Sequence, residues 1–239
     1  MNLYFLVEGE ETEKEVYPAW LGLLNPELQR VYSIQDISKN NYYLQAANGK
    51  DAMLGRILVA TIDNINSSNF NYLVLCIDTD NIAVEDKINE VNDKINDALK
   101  KLNFKKINAE VVIVPQIKCI ESWFLGNKEM YPENFENSDF EKFHQHFNVS
   151  ENNPEIMIAP DWVSDTDAWF HERYLRNLFK QKKGGAFTYN KSKPGIVKDE
   201  DYLKNLILRA NDGNNHIQSF KLFYDFCQEI KNKIQANQP

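Results

Sequence analysis

The chain has 239 residues, of which 43% are hydrophobic and 26% are charged. This composition is that of a globular protein with one or two domains, and it excludes fibrous, low-complexity and broadly disordered classes. The formal net charge of −8 excludes binding to nucleic acid through overall positive charge, although a local basic patch is compatible with it.

No apolar run approaches the roughly 18 residues of a membrane-spanning helix, and the start of the chain lacks the pattern of a secretion signal. The cysteines, Cys76, Cys119 and Cys227, are widely spaced in apolar surroundings. We therefore expect buried, reduced thiols in a cytoplasmic protein. A zinc site is not expected, because neither Cys-x-x-Cys nor His-x-x-x-His occurs.

Apolar runs alternate with helical spacing through the first half of the chain. Strands are predicted from short apolar or alternating runs at residues 3–7, 30–37, 72–77 and 110–117. Helices are predicted, in the same half, at residues 12–24, 50–65, 84–102 and 120–125. This alternation predicts an α/β fold with a mainly parallel sheet flanked by helices.

The second half of the chain is predicted to be mostly helical. Residues 127–160 are rich in Asn, Glu, Asp and Pro, which indicates loops and one short helix near 139–147. Further helices are predicted at 164–182, 199–209 and 216–235. We therefore divide the chain into an α/β catalytic domain over 1–127 and a mostly helical extension with a basic loop over 128–239.

Acidic residues follow the first predicted strand and the strand at 72–77. Glu8 comes directly after the first, and Asp78 and Asp80 come directly after the other. Because ligands bind beyond the carboxyl ends of parallel strands, these acids are candidates for one site. Two carboxylates in such a pair can share Mg²⁺, and Glu85 could add a ligand from the next helix. The structural alternatives are a favourable helix start for Glu8, a polar turn for the aspartates and a solvated Glu85.

Glu121 is an acid in an apolar segment, Ile120-Glu121-Ser122-Trp123-Phe124, after the strand at 110–117. An unpaired buried charge is costly, so we expect Glu121 to have a partner. A metal ion would make it a catalytic residue, whereas an ion pair with Lys118 would make it structural. Both interpretations stay open.

The segment Glu8-Gly9-Glu10-Glu11-Thr12-Glu13 and the later Asp78-Thr79-Asp80 together resemble the Toprim fold. Topoisomerases, bacterial primases and OLD-family nucleases share that fold. The first segment is similar to the Glu-Gly-x-x-Thr-Glu of small stand-alone Toprim-like proteins of the RloB type, found near restriction and phage-defence genes. The segment 120–124 looks like a Glu-containing segment that follows the sheet in those proteins. The resemblance covers roughly residues 1–127.

The resemblance implies a metal site for Mg²⁺ or Mn²⁺ built from Glu8, Asp78 and Asp80. In that family the Glu is a metal ligand or a general acid/base, and the Asp pair holds the metal. Glu13, Glu85 and Glu121 are further acids that match OLD-type sites. The chain lacks the strand-passage domain of topoisomerases and the zinc-binding domain of primases, so neither activity is expected.

A basic stretch lies in the second half of the chain, at residues 173–193. It contains cations without acids: Arg173, Arg176, Lys180, Lys182, Lys183, Lys191 and Lys193. Cations interleaved with aromatic residues suit a nucleic-acid backbone and exposed bases. One alternative is a solvated helix face followed by a flexible loop. The other is internal charge balance, in which the loop folds over the acidic site as a lid. Trp123, Trp162 and Trp169 are predicted to be core residues.

The leading hypothesis is a Mg²⁺-dependent nuclease, a phosphodiester hydrolase acting on DNA or RNA, with a role in phage defence implied by the resemblance. The resemblance also implies a separately encoded ATPase as a candidate partner; the chain has no ATP-binding motif of its own, so any energy coupling must come from elsewhere. One alternative is a non-catalytic module that binds nucleic acid or assembles a complex. Another is a sugar-nucleotide transferase that uses Asp-x-Asp, and an aspartyl phosphatase is weaker because some 70 residues precede the aspartate pair.

Overall fold

The structure, a computed structural model, describes residues 1–133, 138–182 and 187–236. Packing divides the chain into two compact units. The first unit is Met1–Pro115 with Asp225–Pro239, and the second is Gln116–Tyr224. The predicted domain boundary after residue 127 falls within the second unit. Each unit is described by itself.

The first unit is built on a five-stranded, all-parallel sheet flanked by helices, which confirms the predicted α/β class. The strands are β1 (Asn2–Val7), β2 (Gln29–Val31), β3 (Asn41–Ala46), β4 (Tyr72–Asp78) and β5 (Glu110–Gln116). Their order is β2-β3-β1-β4-β5, so β1 lies at the centre between β3 and β4. Every residue of β1 is buried, as expected for a parallel strand covered by helices on both faces.

The helices of the first unit follow the predicted positions. They are α1 (Thr12–Leu24), α2 (Lys50–Ala52), α3 (Leu58–Asn66) and α4 (Val84–Leu102). A π-helical segment, Met53–Ile57, joins α2 to α3, and Gly55 leaves helical backbone angles there. The single helix predicted over 50–65 is therefore interrupted. Apolar spacing shows which face of a helix is buried, but it does not show a local change in the backbone hydrogen bonds.

The region between α1 and α2 differs from its prediction. The strand expected over 30–37 ends at Val31, and a short 3₁₀ helix, Ile34–Asp36, follows it. Strand β3 was not predicted, yet it pairs with β1 from Asn2↔Asn41 to Val7↔Ala46. Its sequence, Asn-Tyr-Tyr-Leu-Gln-Ala, is too polar for a recognisable apolar run. Pairing beside β1 creates the strand, which is a tertiary effect.

The second unit is mostly helical, as predicted for this part of the chain. Its helices are α5 (Ile120–Phe124), α6 (Ser138–His146), α7 (Asp167–Gln181), α8 (Glu200–Ala210) and the beginning of α9 (Gln218–Ala236). The buried carboxylate of Glu155 caps α9 by accepting hydrogen bonds from the backbone N–H of Gln218 at 2.9 Å and of Ser219 at 3.0 Å. Capping satisfies donors that have no partner within the helix.

Two further predictions concern the whole chain. Cys76, Cys119 and Cys227 are buried thiols that form no disulfide with one another, as predicted. Among the helices of the described ranges, none has the length and the apolar character needed to cross a membrane.

Candidate active site at the ends of β1 and β4

Glu8 is the first residue beyond β1, and its backbone is held on both sides. Its N–H donates to the carbonyl of Cys76 in β4 at 3.2 Å, and its carbonyl accepts from the N–H of Gly49 at 2.9 Å. The side chain turns toward β4, where Glu8 Oε2 accepts a hydrogen bond from the backbone N–H of Asp78 at 3.2 Å. The structure thus brings Glu8 and Asp78 together, although 70 residues separate them in the sequence.

Gly9 is required by close packing against Glu13. The Gly9 N–H donates to Glu13 Oε1 at 3.0 Å, and Glu13 is buried in the first turn of α1. A Cβ atom at position 9 would lie 2.0 Å from Glu13 Oε2, so any other residue would displace this carboxylate. The Glu-Gly turn with an acid four residues later is therefore one local unit that shapes the chain after β1.

Asp78 and Asp80 have different surroundings. Asp78 is the last residue of β4, whereas Asp80 lies in a turn with a left-handed backbone, φ 53°. The Asp80 side chain is 54% exposed, and Thr79 between the two is buried. The strand alternation that was expected to align the two carboxylates therefore ends at Asp78. Asp tolerates the left-handed region better than most residues, which suits it to this turn.

A buried lysine, Lys87 of α4, is part of the same site and was missed from the sequence. Its side chain is 0% exposed, and Nζ lies 3.9 Å from Asp80 Oδ2 and 3.6 Å from Glu90 Oε2. Glu90 Oε1 lies in turn 3.4 Å from Lys50 Nζ. Lys87 Nζ is buried and makes no hydrogen bond within the described part of the chain. A buried ammonium is costly unless charges compensate it, and here two carboxylates do so.

The signal for Lys87 was present in the helix pattern. The buried side of α4 consists of Lys87, Val91, Ile95 and Ala98. These positions lie three or four residues apart, so they share one face of the helix. A lysine at the first position of that apolar stripe predicts a buried ammonium with acidic neighbours, close to the turn after β4.

The electrostatics of the site centre on Glu8. Burial raises the pKa of the Glu8 carboxyl, and the charge of Asp80 raises it further. The hydrogen bond from the Asp78 amide and the charges of Lys87 and Lys50 act in the opposite direction and lower this pKa. The net result is a raised pKa, which makes Glu8 a stronger proton acceptor than an ordinary glutamate when it is ionised.

The oxygen ligands of Glu8, Asp78 and Asp80 are of the type that Mg²⁺ or Mn²⁺ takes. In donor chemistry the residues therefore fit a hard divalent cation. Over the described ranges, however, no three His, Cys, Asp or Glu side chains are gathered closely enough to hold a metal ion. Glu85, the further ligand predicted from the sequence, is exposed in the first turn of α4.

Glu121 lies in the second unit, and its partners differ from those expected. Its carboxylate is buried, with Oε1 accepting from Tyr189 Oη at 2.7 Å and lying 3.8 Å from Lys191 Nζ. Lys118, the partner expected from the sequence, instead lies 2.5 Å from Asp167. Lys191 also lies 3.4 Å from Glu172. Although burial lowers it, the charges of Glu121 and Glu172 raise the pKa of Lys191 above its ordinary value.

The basic stretch is partly balanced by acids within the second unit. Arg173 lies 3.1 Å from Asp165, and Arg176 forms an ion pair with Glu172. The remaining cations are placed as follows: Lys180 and Lys193 are exposed, Lys182 is half-buried with Nζ 3.5 Å from the carbonyl of Tyr131, and Lys183 lies outside the described residues. Acids of the second unit therefore balance the charges of Arg173, Arg176 and Lys191.

Two of the tryptophan predictions were wrong. Trp123 is buried, as expected, but Trp162 and Trp169 are 54% and 66% exposed. Helical spacing around Trp169 was taken as a core stripe, whereas the buried face of α7 is formed by its neighbours, among them Phe170 and Tyr174. A one-residue shift of register on a helix moves a side chain by about 100°, which is enough to exchange core for solvent.

Ser122 and His171 form a buried pair that spacing alone did not reveal. Ser122 Oγ lies 2.7 Å from His171 Nδ1, and His171 Nε2 lies 2.9 Å from the carbonyl of Met157. Burial lowers the pKa of His171 to about 4, so the ring is neutral at pH 7. Nε2 then carries the proton that it donates to the carbonyl, and Nδ1 accepts from Ser122. Both side chains are fully buried, so this pair has a structural role and not a catalytic one.

In comparisons with known proteins, the chain matches no family model, no curated protein and no solved structure. The Toprim resemblance therefore rests on the residues of the Glu-Gly turn and the Asp-x-Asp turn.

Proposed function

We propose that this chain is a metal-dependent nuclease that hydrolyses phosphodiester bonds of DNA or RNA at the carboxyl ends of β1 and β4. The observation that supports the proposal best is the contact between the Glu8 carboxylate and the Asp78 amide, with the pKa of Glu8 raised by burial and by Asp80. Under this proposal, Glu8 is the proton acceptor and Asp78 and Asp80 are the oxygen ligands, at the edge of a parallel sheet where ligands bind.

In the proposed reaction, Glu8 takes a proton from a water whose oxygen forms a bond to the scissile phosphorus. The P–O bond to one sugar breaks, and the leaving oxygen takes a proton from solvent water. Asp78 and Asp80 would hold Mg²⁺ or Mn²⁺, which when bound would polarise the scissile phosphate and stabilise its charge. The ammonium of Lys87, 3.9 Å from Asp80, keeps the acidic residues close together despite their mutual repulsion. Glu121 has no part in this proposal, because Tyr189 and Lys191 already satisfy its carboxylate.

Membership of the Toprim family belongs to the same proposal. It is supported by the position of the Glu-Gly turn after the central strand β1 and of Asp78 at the end of its neighbour β4. A cytoplasmic location, expected from the cysteines, stays a prediction. A role in phage defence and a separately encoded ATPase partner, implied by the resemblance, also stay predictions.

A second candidate is a non-catalytic nucleic-acid-binding or complex-assembly module on the same scaffold. The contact that favours it is the pairing of Lys87 with Asp80 and Glu90, because this cation already compensates the acids without a metal. No contact among the described residues favours the sugar-nucleotide transferase over these two candidates.

The test is cleavage of single- and double-stranded DNA and RNA in Mg²⁺ or Mn²⁺ by the wild type and by an Asp78→Ala/Asp80→Ala variant. Asp93→Ala/Asp97→Ala is the matched control, since it removes the same charge from exposed positions of α4. We expect cleavage by the wild type and the control, and none by the first variant. Equal cleavage by all three, or none by the wild type on every substrate, would refute the nuclease proposal.

A further inference from the structure

One face of α7 carries a tryptophan followed only by cations. The exposed residues of this helix are Trp169, Arg173, Arg176 and Lys180. Their spacing of four, three and four places them in a single row along the helix, the α7 ridge. From Trp169 to Lys180 the row spans about 16 Å at the rise of an α-helix. The fold therefore presents an aromatic ring and three positive charges in line.

Trp169 is held at the start of this ridge with its ring in solvent. Its backbone N–H donates to Thr166 Oγ1 at 3.3 Å in the cap of α7, and its side chain is 66% exposed. Lys191 Nζ lies 6.0 Å from the ring centroid. A flat, exposed indole offers a surface on which a base can stack.

The arginines beside Trp169 can still donate hydrogen bonds to a ligand. The side chains of Arg173 and Arg176 are 49% and 46% exposed, although each forms an ion pair. Exposed ion pairs contribute little to stability, and a guanidinium has five N–H donors, so both arginines can donate to phosphate oxygens as well. Lys180 is exposed at the end of the row. The charge of the ridge thus complements a strand of phosphates.

We propose that the α7 ridge binds single-stranded nucleic acid, with an unpaired base stacked on Trp169 and the following phosphates on Arg173, Arg176 and Lys180. A duplex hides its base faces, so it could use the cations but not the ring. The inference rests on the proposed function for its choice of nucleic acid, and it names single-stranded segments as the ligand of the second unit.

The test of the ring measures binding in the Asp78→Ala/Asp80→Ala background, which separates binding from cleavage. Labelled oligo-dT, oligo-U and a duplex of equal length are titrated by fluorescence anisotropy. We expect Trp169→Ala to weaken single-strand binding about 5- to 150-fold, the loss of one stacked base, and Trp169→Phe to retain most of it. Tyr32→Ala is the matched control, because Tyr32 is an 80% exposed ring with Arg30 4.9 Å from its centroid in the first unit.

The test of the cations is the salt dependence of the same binding. Arg173→Gln/Arg176→Gln/Lys180→Gln should lower the slope of log K against log salt by about 2, as expected for three phosphate contacts to a single strand. Lys101→Gln/Lys105→Gln/Lys106→Gln removes the same charge from exposed positions of the first unit and should leave the slope unchanged.

Several results would overturn the inference: no binding of any oligonucleotide, tighter binding of the duplex, equal single-strand affinity in Trp169→Ala, or an effect of Tyr32→Ala equal to that of Trp169→Ala. Its failure is distinct from failure of the nuclease proposal. If Asp78→Ala/Asp80→Ala abolishes cleavage but the ridge variants keep their affinity, only the proposal for the α7 ridge is refuted. If binding depends on the ridge but no substrate is cleaved, only the nuclease proposal is refuted.

Discussion

Each unit contains an acidic centre, half-buried at Glu8 and buried at Glu121, and the two differ in how their carboxylates are satisfied. In the second unit, Glu121 accepts a hydrogen bond from Tyr189 and lies near Lys191. In the first unit, Glu8 accepts only a long 3.2 Å bond from the Asp78 amide among its described hydrogen bonds, and its pKa is raised. A buried acid is therefore weak evidence for a site. An acid whose surroundings leave its charge poorly compensated is stronger evidence.

The largest effect should come from neutralising Glu8. Glu8→Gln keeps the side-chain volume but removes the proton acceptor, so we expect cleavage to fall about 10²- to 10⁴-fold. The folded state should persist, since burial of a neutral amide avoids the desolvation of a carboxylate. Initial cleavage rates and far-UV circular dichroism measure the two quantities. A Glu8→Gln protein with wild-type cleavage would contradict the role given to this residue.

The next largest effect on cleavage should come from removing the charge of Lys87. Lys87→Met removes the buried ammonium and leaves the buried atom Glu90 Oε2 beside an apolar side chain. We expect the free energy of unfolding to fall by about 3 kcal/mol, because removing one partner of a buried ion pair leaves a charge uncompensated. Cleavage per folded molecule should also fall about 100-fold. Wild-type cleavage per folded molecule, together with the loss of stability in urea denaturation, would instead make Lys87 a structural residue.

In the second unit, the buried His171 should make the free energy of unfolding depend on pH. The pKa of His171 is lowered from 6.5 to about 4 by burial, so the unfolded chain binds a proton at a higher pH than the folded chain. The stabilisation is complete above pH 6.5 and is lost as pH falls toward 4. From pH 7.5 to pH 5 we expect on the order of 2 kcal/mol less stability.

The measurement is the urea midpoint of the wild type and of His171→Gln at both pH values. Glutamine does not titrate, so the variant should lack this part of the pH dependence. The same dependence in both proteins would show that other groups cause it.

The smallest effect concerns the satisfied acid, Glu121. Tyr189→Phe removes the hydroxyl that donates to its carboxylate and leaves Lys191 as the nearby cation. Loss of a hydrogen bond to a buried charge should cost about 1–3 kcal/mol of unfolding free energy. Cleavage per folded molecule should be unchanged. A selective loss of cleavage, with stability intact, would return Glu121 to the catalytic residues.

Part of the site was predictable because it is local in the chain. Glu8 and Asp78 each follow an apolar run directly, so the strand that precedes them determines their position. The contact of Tyr189 was not predictable in this way, because 68 residues separate it from Glu121. The place of Lys87 on the buried face of α4 is readable from the helix pattern, but its contact with Asp80 is not.

The amino-acid sequence alone determined the α/β class, most helices and strands, and the acids at the ends of β1 and β4, because periodicity and apolar runs are local properties. Only the tertiary structure decided that residues 41–46 form β3, that Lys87 is buried beside Asp80, and that Trp169 faces solvent. The physical reason is common to all three. Strand pairing, burial of a charge and the choice of a helix face depend on which neighbours the folded chain supplies.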